Sequence, residues 1–357
     1  MEEPMQSNQL KQIVIPLLDW YHTNKRDLPW RKNTDPYRVW VSEIMLQQTR
    51  VETVIPYYER FMEHYPTIPT LAACTDEELL KLWEGLGYYS RARNLKKAAQ
   101  VICTEYQGCF PTQYKDILAL PGIGAYTAGA ISSISFEQAK AAVDGNVLRV
   151  ITRLTENGQD IMDTGFRKQI TEELEKIYPT RQRGDFTQSL MELGAVICVP
   201  NGLPKCSECP LHILCGACQN GTQLQYPVKK QKTARKVEEI TVLVLQYQDK
   251  IAVRKREKKG ILSDMWELPN WSGFFTDTQI LKQLVRIQPQ FDIQKNIICK
   301  KERLEHIFTH IEWHMECLLI ACDTEYELDS VVWVTHEELA EKIALPTAFR
   351  KVYERMR

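Results

Sequence analysis

LPGIGAYTAGA, residues 120–130, sets Pro121, Gly122 and Gly124 between two apolar stretches and carries no charged side chain. The two glycines admit positive φ and remove the side chains that would keep another molecule away from the backbone. A helix follows at once, and the free N–H groups of a helix N-terminus bind an anion without help from Lys or Arg. A phosphate is the natural guest. A tight connection between two helices, with glycine for close packing, would use the same residues, and Gly-x-Gly alone does not separate the two readings.

Outward from this turn, residues 8 to about 220 read as helices punctuated by Pro and Gly. In DPYRVWVSEIMLQQTRVETVIPYYERFMEHYP, Asp35 is placed to cap a helix whose first position is Pro36, and apolar residues then recur at helical spacing. TDEELLKLWEGLGYYSRARNLKKAAQVICTEY opens on Thr75 and acidic residues and is interrupted at Gly85 and Gly87. Further helices are expected at about 113–120, 125–135, 145–155, 165–178 and 185–197. With no strand-like alternation there, residues 1–226 are expected to form an all-α domain of many short helices. The basic, polar stretch YPVKKQKTARKVEE suggests a linker over 227–236. Beyond it, ITVLVLQYQDKIAVRKRE reads as a hairpin turning near Asp249 and Lys250, and HIFTHIEWHMECLLIACD and SVVWVTHEEL add strand signal. HEELAEKI and PTAFRKVYERMR look helical. Residues 237–357 are therefore expected to be a separate α+β domain.

A chain of 357 residues, 44% hydrophobic and 25% charged, has material for two domains with separate cores. No apolar run reaches the ~18 residues of a membrane span. The acidic, polar start MEEPMQSNQLKQ resembles neither a secretory signal nor a transit peptide, so a cytoplasmic location is expected. Lys plus Arg number 45 against 46 Asp plus Glu, and residues 1–220 carry 23 basic and 26 acidic side chains. A DNA-binding domain is usually basic, so this balance argues weakly against a nucleic-acid partner, and any phosphate contact here must come from local patches or backbone donors. Eleven cysteines do not make a disulfide scaffold in a chain this long, and five of them fall between Cys198 and Cys218. That clustering points to a metal site in a reducing compartment.

LPGIGAY resembles the helix-hairpin-helix of a large DNA glycosylase superfamily, and AAVDGNVLRV resembles the loop that carries the superfamily's aspartate, here Asp144. Within that superfamily, residues 8–220 resemble adenine DNA glycosylases of the MutY type. The matching stretches are LPWR (28–31), WVSEIMLQQTRVETVIPYY (40–58), WEGLGYYSRARNL (83–95) and ELGAVIC (192–198). Long, ungapped and chemically varied, they are far more specific than the hairpin alone. The resemblance implies a helix-hairpin-helix glycosylase domain followed by a Nudix-like domain. It also implies a monomer acting on duplex DNA that contains adenine mispaired with 8-oxoguanine or guanine.

Hydrolysing an N-glycosidic bond to adenine needs an acid at the base and a negative group near the sugar, whose carbon becomes cationic. Two carboxylates in different environments can divide that work. Glu43 lies among Val41, Ile44, Met45 and Leu46, where burial would keep it protonated near neutral pH as the general acid at adenine N7. By resemblance it then activates the water; taken singly, it reads more readily as a solvated helix glutamate. Asp144 opens DGNV before a helix, whose N–H groups are expected to favour its ionised form. Alone it is a helix cap or an Asp-Gly turn; the resemblance makes it the partner of the oxocarbenium ion.

The resemblance further implies that Asn146 and Tyr126 hold Asp144 and the reacting sugar, and that Gln48 and Tyr88 probe or wedge the base stack. It places Leu28, Trp30, Arg31, Leu46 and Gln188 around adenine, with a plain core role as the alternative for Trp30 and Leu46. Endonuclease III-like relatives carry a lysine at the position of Tyr126. Tyrosine cannot form their Schiff base, so base release without strand cleavage is expected. Arg91, Arg93, Lys96 and Lys97 form a positive cluster close to Tyr88, which adds Arg91 to Gly122 and Gly124 as DNA contacts. A solvated helix face is the alternative reading.

Four thiolates this close in a reducing compartment read as metal ligands. The family separates its four ligands by six, two and five residues and binds a 4Fe-4S cluster. Here Cys198, Cys206, Cys209 and Cys215 match, except that seven residues fill the first gap, an insertion that the turn at Asn201 and Gly202 can absorb. Cys206, Cys209, Cys215 and Cys218 also form two Cys-x-x-Cys pairs of a type that suits zinc. The loop's Lys205 is placed to meet DNA.

The C-terminal part resembles the Nudix-like domain with which this family reads 8-oxoguanine opposite adenine. GILSDMWELPNWSGFFTD holds no Glu-rich helix such as a Nudix hydrolase uses to hold metal, so binding without hydrolysis is expected. In HIFTH, Phe308, Thr309 and His310 match a recognition loop that often reads Phe-Ser-His; threonine keeps the hydroxyl and adds a methyl. Two rivals stand beside this reading. An endonuclease III-like glycosylase with lyase activity is disfavoured by Tyr126 and the extra domain, and a catalytically silent damage binder by the presence of both Glu43 and Asp144.

Overall fold

A computed structural model describes residues 7–230, 234–292, 294–328 and 330–357. The first six residues of the polar N-terminal stretch and residues 231–233 of the expected linker lie outside the described residues.

Up to residue 230 the regular elements described are all helical. They are α1 (Ser7–Lys11), α2 (Val14–Asn24), α3 (Pro36–Leu46), α4 (Val51–His64), α5 (Ile68–Ala73), α6 (Asp76–Leu82) and α7 (Ser90–Glu105). There follow α8 (Tyr114–Ala119), α9 (Ala125–Phe136), α10 (Gly145–Thr155), α11 (Thr164–Glu175), α12 (Arg183–Val196) and α13 (Gly216–Asn220). Their starts follow local chemistry. Asp35 accepts the Tyr37 N–H at 2.9 Å ahead of Pro36, Thr75 and Glu78 close a capping box, and Asp163 accepts the Phe166 N–H at 2.7 Å.

By contact the chain forms two compact units that do not follow chain order. Residues up to Ala73 group with those from Asn94 through the helical region, whereas Cys74–Arg93 groups with the C-terminal part. Thus α6 and the first turn of α7 belong to the second unit. The first unit has a core shared by Leu17 of α2, Leu148 and Ile151 of α10, Phe166 of α11, and Phe186 and Leu190 of α12. Cys198, Cys209 and Cys215 pack against that core.

The second unit continues with β1 (Lys236–Tyr247), β2 (Lys250–Lys255), β3 (Trp266–Glu267), β4 (Asn270–Ser272), α14 (Asp277–Ile287) and β5 (Ile297–Ile307). It ends with β6 (Ile311–Ala321), β7 (Val331–Thr335), α15 (His336–Glu341) and α16 (Thr347–Met356). The sheet order is β3-β2-β1-β6-β5, with β4 paired to β1 and β7 to β2. The β1–β2 hairpin closes with Tyr247 opposite Lys250, where the sequence suggested the turn. β1 and β6 run parallel, from Lys236 opposite Ile311 to Gln246 opposite Ala321.

β1 is apolar without alternation because both its faces are covered. Ile240, Val242 and Val244 share a core with α15 and α16, and Leu243 and Leu245 share one with α14. β5 was not anticipated. It is an edge strand whose residues alternate between exposed and half-buried, and its charged stretch KKERLE hides the strand signal.

Candidate active site

The turn between α8 and α9 is closed by the Ile123 N–H on the Leu120 carbonyl at 3.1 Å. Gly122 has φ +77°, and a Cβ there would stand 2.6 Å from the Asn94 Cβ, so both backbone and packing require glycine. Gly124 differs. It caps α9 at φ −98°, and a Cβ added there would meet nothing within 4 Å. The fold itself makes no demand for glycine at 124, whereas a group approaching the first-turn N–H donors of α9 would.

In the first turn of α9, Tyr126 reaches a cavity of about 640 Å³ in the first unit. Glu43, Asp144 and Asn146 line it together with Tyr126, and so do Leu28, Trp30, Arg31, Leu46, Gln188 and Gln48. Residues spread from 28 to 188 are thereby brought to one place. For Trp30 the two sequence readings coincide. It lines the cavity and is also buried, meeting the Tyr58 ring edge-on at 5.4 Å.

Glu43 is buried on the inner face of α3 and accepts the Tyr126 hydroxyl on Oε2 at 2.6 Å. Burial pushes its carboxyl up from 4.5 to about 7; the negative charge of Asp144 adds to this, while the Tyr126 hydrogen bond and the charge of Arg31 oppose it. Burial also holds the Tyr126 hydroxyl well above its ordinary value of 10, so it stays a neutral donor.

Asp144 caps α10, accepting the Val147 N–H at 2.8 Å and the Asn146 side-chain amide at 2.7 Å. As expected, the helix N–H of Val147 favours its ionised form. Burial raises Asp144 above its ordinary 3.8, and the bonds from Val147 and Asn146 offset only part of the rise. Asn146 is fixed in turn by Gly194 of α12, where a Cβ would lie 2.6 Å from the Asn146 Cβ. Arg149 donates to Asn146 Oδ1 at 2.8 Å, to the Gly194 carbonyl at 2.7 Å and to the Cys198 carbonyl at 2.7 Å. One guanidinium therefore ties the cysteine loop to the support of Asp144.

Glu192 was missed by sequence reasoning. It lines the cavity, receives the Arg26 guanidinium at 2.7 and 2.9 Å and the Arg26 backbone N–H at 3.1 Å, and receives Arg31 at 2.8 Å. Burial pushes its carboxyl up, but the two arginines overrule it and bring Glu192 down to about 2. Arg31 thus borders the cavity with its charge already committed. The signal was present in the sequence, since Gln188, Met191, Glu192 and Ala195 recur at helical spacing and all four line the cavity.

Gln48 and Tyr88 are exposed and hold left-handed backbone, at φ +60° and +48°, which residues other than glycine seldom adopt. Tyr88 belongs to the second unit, where its hydroxyl meets the Thr309 hydroxyl at 2.6 Å. The Arg91 guanidinium lies 5.5 Å from the Trp83 ring and 5.4 Å from the Tyr88 ring and donates to the carbonyls of Leu86 and Gly87. Burial brings Arg91 down to about 10. Arg91 therefore braces Tyr88 in this structure, and Lys97 is the exposed cation of the cluster. Thr309 and His310 are exposed between β5 and β6, and Phe308 packs edge-on against Trp313 at 4.8 Å. In the same unit, α14 carries one carboxylate, Asp277, bonded to Lys301 at 2.8 Å. Glu267 is locked by Arg254 at 2.8 Å, by Arg256 and by Asn270 at 2.7 Å, so neither carboxylate is free to hold a metal against a diphosphate.

The cysteine loop is anchored by Arg153 of α10, which donates to Cys198 Sγ at 3.3 Å and to the carbonyls of Val199, Gln223 and Tyr226 at 2.9–3.1 Å. Burial pushes the thiols of Cys209 and Cys215 up to about 12 and about 11. Among the described residues, no three of the five sulfurs lie within 4.8 Å of one another. A tetrahedral zinc would hold its thiolates about 3.8 Å apart, given Zn–S bonds of about 2.3 Å.

Residues 41–179 match the HhH-GPD superfamily of base excision DNA repair proteins, and residues 241–355 match the NUDIX domain. The adenine DNA glycosylase of Buchnera aphidicola subsp. Schizaphis graminum is 35% identical over 305 residues, covering 85% of this chain and 86% of the relative. A solved thermostable thymine-DNA glycosylase superposes with a TM-score of 0.54 at 32% identity, over 60% of this chain and 98% of its own. A non-covalent endonuclease III–DNA complex gives a TM-score of 0.52 at 25% identity, over 61% of this chain and 99% of that one.

Proposed function

The chain belongs to the adenine DNA glycosylase family, and from that membership we propose that it excises adenine lying opposite 8-oxoguanine or guanine in duplex DNA. The observation that carries this reading is the buried Glu43 carboxyl held near neutrality beneath the Tyr126 hydroxyl, in a cavity shared with Asp144. Extruding a base costs a few kcal/mol, and Gln48 and Tyr88 fill the gap it leaves. Inside the cavity Glu43 gives its proton to adenine N7, and the bond from sugar carbon to base nitrogen breaks, its electron pair leaving with the base. Asp144, aligned by Val147 and Asn146, stabilises the cationic sugar. The Glu43 carboxylate then takes a proton from water as the water oxygen bonds to that carbon, which returns Glu43 to its acid form. Tyr126 offers no amine, so the product is an intact strand with an abasic site.

Residues 1–226 serve as the catalytic domain, 227–236 as the linker and 237–357 as the reader, whose Phe308, Thr309 and His310 recognise 8-oxoguanine. The protein works as a cytoplasmic monomer, with Gly122 and Gly124 at a phosphate. Cys198, Cys206, Cys209 and Cys215 hold a 4Fe-4S cluster, with Cys218 outside it; the match of these four to the family's ligand order supports this reading. Such a cluster supplies covalent anchors for the loop that carries Lys205, while Arg149 and Arg153 fasten that loop to α10.

The test is release of free adenine from duplexes with adenine opposite 8-oxoguanine, guanine or thymine, together with iron, sulfide and zinc analysis of the protein. Release should depend on the opposite base and fall by at least ~10²-fold in Glu43→Gln and Asp144→Asn. Strand breakage without alkali would contradict the role of Tyr126, and binding without release would leave a damage binder.

A further inference from the structure

We propose that Glu84 is a positioning residue that fastens the Tyr88 segment to the C-terminal domain, so that the wedge and the 308–310 loop engage the opposite base as one body. The inference rests on the lesion-reading role given above to Tyr88 and to residues 308–310. Cys74–Arg93 is encoded among the helices yet packs in the second unit. The reason is a line of polar contacts from Glu77 and Lys81 on α6 and from Glu84 and Tyr88 in the turn that follows it. Glu77 meets Lys255 at 2.9 Å, Lys81 donates to the Ile343 carbonyl at 3.1 Å, and Tyr88 meets Thr309 at 2.6 Å.

Glu84 is the hub of that line. Its side chain is only 12% exposed. Oε2 accepts Lys81 at 2.8 Å; Oε1 accepts the Leu345 N–H at 2.8 Å, Arg350 Nε at 3.0 Å and a second Arg350 nitrogen. One carboxylate thus joins the end of α6 to Leu345, which precedes α16, and to Arg350 on α16 itself. The Glu77–Lys255 pair, by contrast, is open to solvent, where an ion pair holds little. Removing the Glu84 charge leaves two half-buried cations without their shared counter-charge.

Four residues beyond this hub the chain turns through Tyr88 in its left-handed conformation, which persists only where the surroundings enforce it. On the far side, Arg93 donates to the Ser263 carbonyl at 3.0 Å and the Asp264 carbonyl at 3.2 Å. Tyr88 is therefore fixed between two anchors with its hydroxyl against Thr309. Losing the Glu84 anchor frees the wedge from the reader without touching Glu43 or Asp144. The expected defect is in discrimination and not in bond breaking.

The test uses the full-length protein with Glu84→Gln and Arg350→Gln, singly and together. Adenine excision opposite 8-oxoguanine and opposite guanine is measured at limiting and at saturating enzyme. In each single variant the preference for 8-oxoguanine at limiting enzyme should fall about tenfold, the effect of one charge-assisted hydrogen bond. The double variant should fall no further, because the two residues act through one contact. At saturating enzyme the rate opposite guanine should change by less than about twofold. Melting curves report folding, and Arg350→Gln, a 30% exposed site, carries the test if Glu84→Gln does not fold. Unchanged preference in folded variants, or an equal loss on both duplexes at saturation, overturns the proposal and leaves the reader's role standing. A parent protein with no preference overturns both.

Discussion

In the proposed reaction Glu43 is an acid when adenine arrives and a base when water attacks, and a carboxyl lifted from 4.5 to about 7 can be both near neutral pH. Single-turnover excision should accordingly fall about tenfold per pH unit above about pH 8 and level off towards pH 6, where Glu43 is protonated and Asp144 still ionised. Rapid-quench rates across that range check it. The same burial works against stability. From pH 4.5 to about 7 the folded protein keeps a proton on Glu43 that the unfolded chain has released, so stability drops as pH rises through this window. The total is about 3 kcal/mol. Glu43→Gln still accepts the Tyr126 hydroxyl and has nothing to ionise. It should be inactive yet more stable than the parent by about 2–3 kcal/mol at pH 8, the gain vanishing near pH 4.5. Denaturant midpoints at the two pH values measure this, and equal midpoints at pH 8 would show that the Glu43 charge is well solvated. A glutamate among Val41, Ile44 and Met45 let the sequence point to this residue. Glu192 escaped notice because its pairing with Arg26 and Arg31 bridges more than 160 residues of chain.

The crossing of α10 and α12 sets the geometry of Asp144. At Gly194 the helices are so close that a Cβ would lie 2.6 Å from the Asn146 Cβ, inside any ordinary contact. Gly194→Ala must push the start of α10 aside, costing about 1–3 kcal/mol of stability, as overpacking usually does. It should also slow excision, because Asn146 carries Asp144 with it. Melting and single-turnover rates on one preparation test the link; lost stability with an unchanged rate would separate Asn146 from the chemistry. Helices were legible in the sequence because their determinants are local, Asp35 with Pro36 and Thr75 with Glu78 among them. β5 and α14 were not. β5 presents alternating charges at a sheet edge, and its strand character comes from pairing with β6, from Ile297 opposite Ala321 to Ile307 opposite Glu312.

At the scale of the whole chain, the sequence suggests two domains in succession, while contact groups Cys74–Arg93 with the C-terminal part. No local rule announces this, because Glu84 reads as one more helix-end glutamate until Leu345 and Arg350 are brought to it. The grouping has a dynamic consequence. A chain ending at Lys230 keeps α10 and α12 with their own core, but deprives residues 77–93 of Lys255, Ser263, Thr309, Ile343, Leu345 and Arg350. Backbone protection in a segment falls when the contacts that close it are removed. Peptides spanning 77–93 should then exchange amide hydrogens at least about tenfold faster than in the full chain, while those of α10 and α12 keep their rates. Hydrogen-exchange mass spectrometry on the two chains reads this directly. Excision of adenine should survive the truncation with its preference for the opposite base lost, since Glu43, Tyr126 and Asp144 all line a cavity of the first unit. Undiminished protection over 77–93 would show instead that this segment holds its Tyr88 turn without the C-terminal contacts, and discrimination would then have to originate in the 308–310 loop alone.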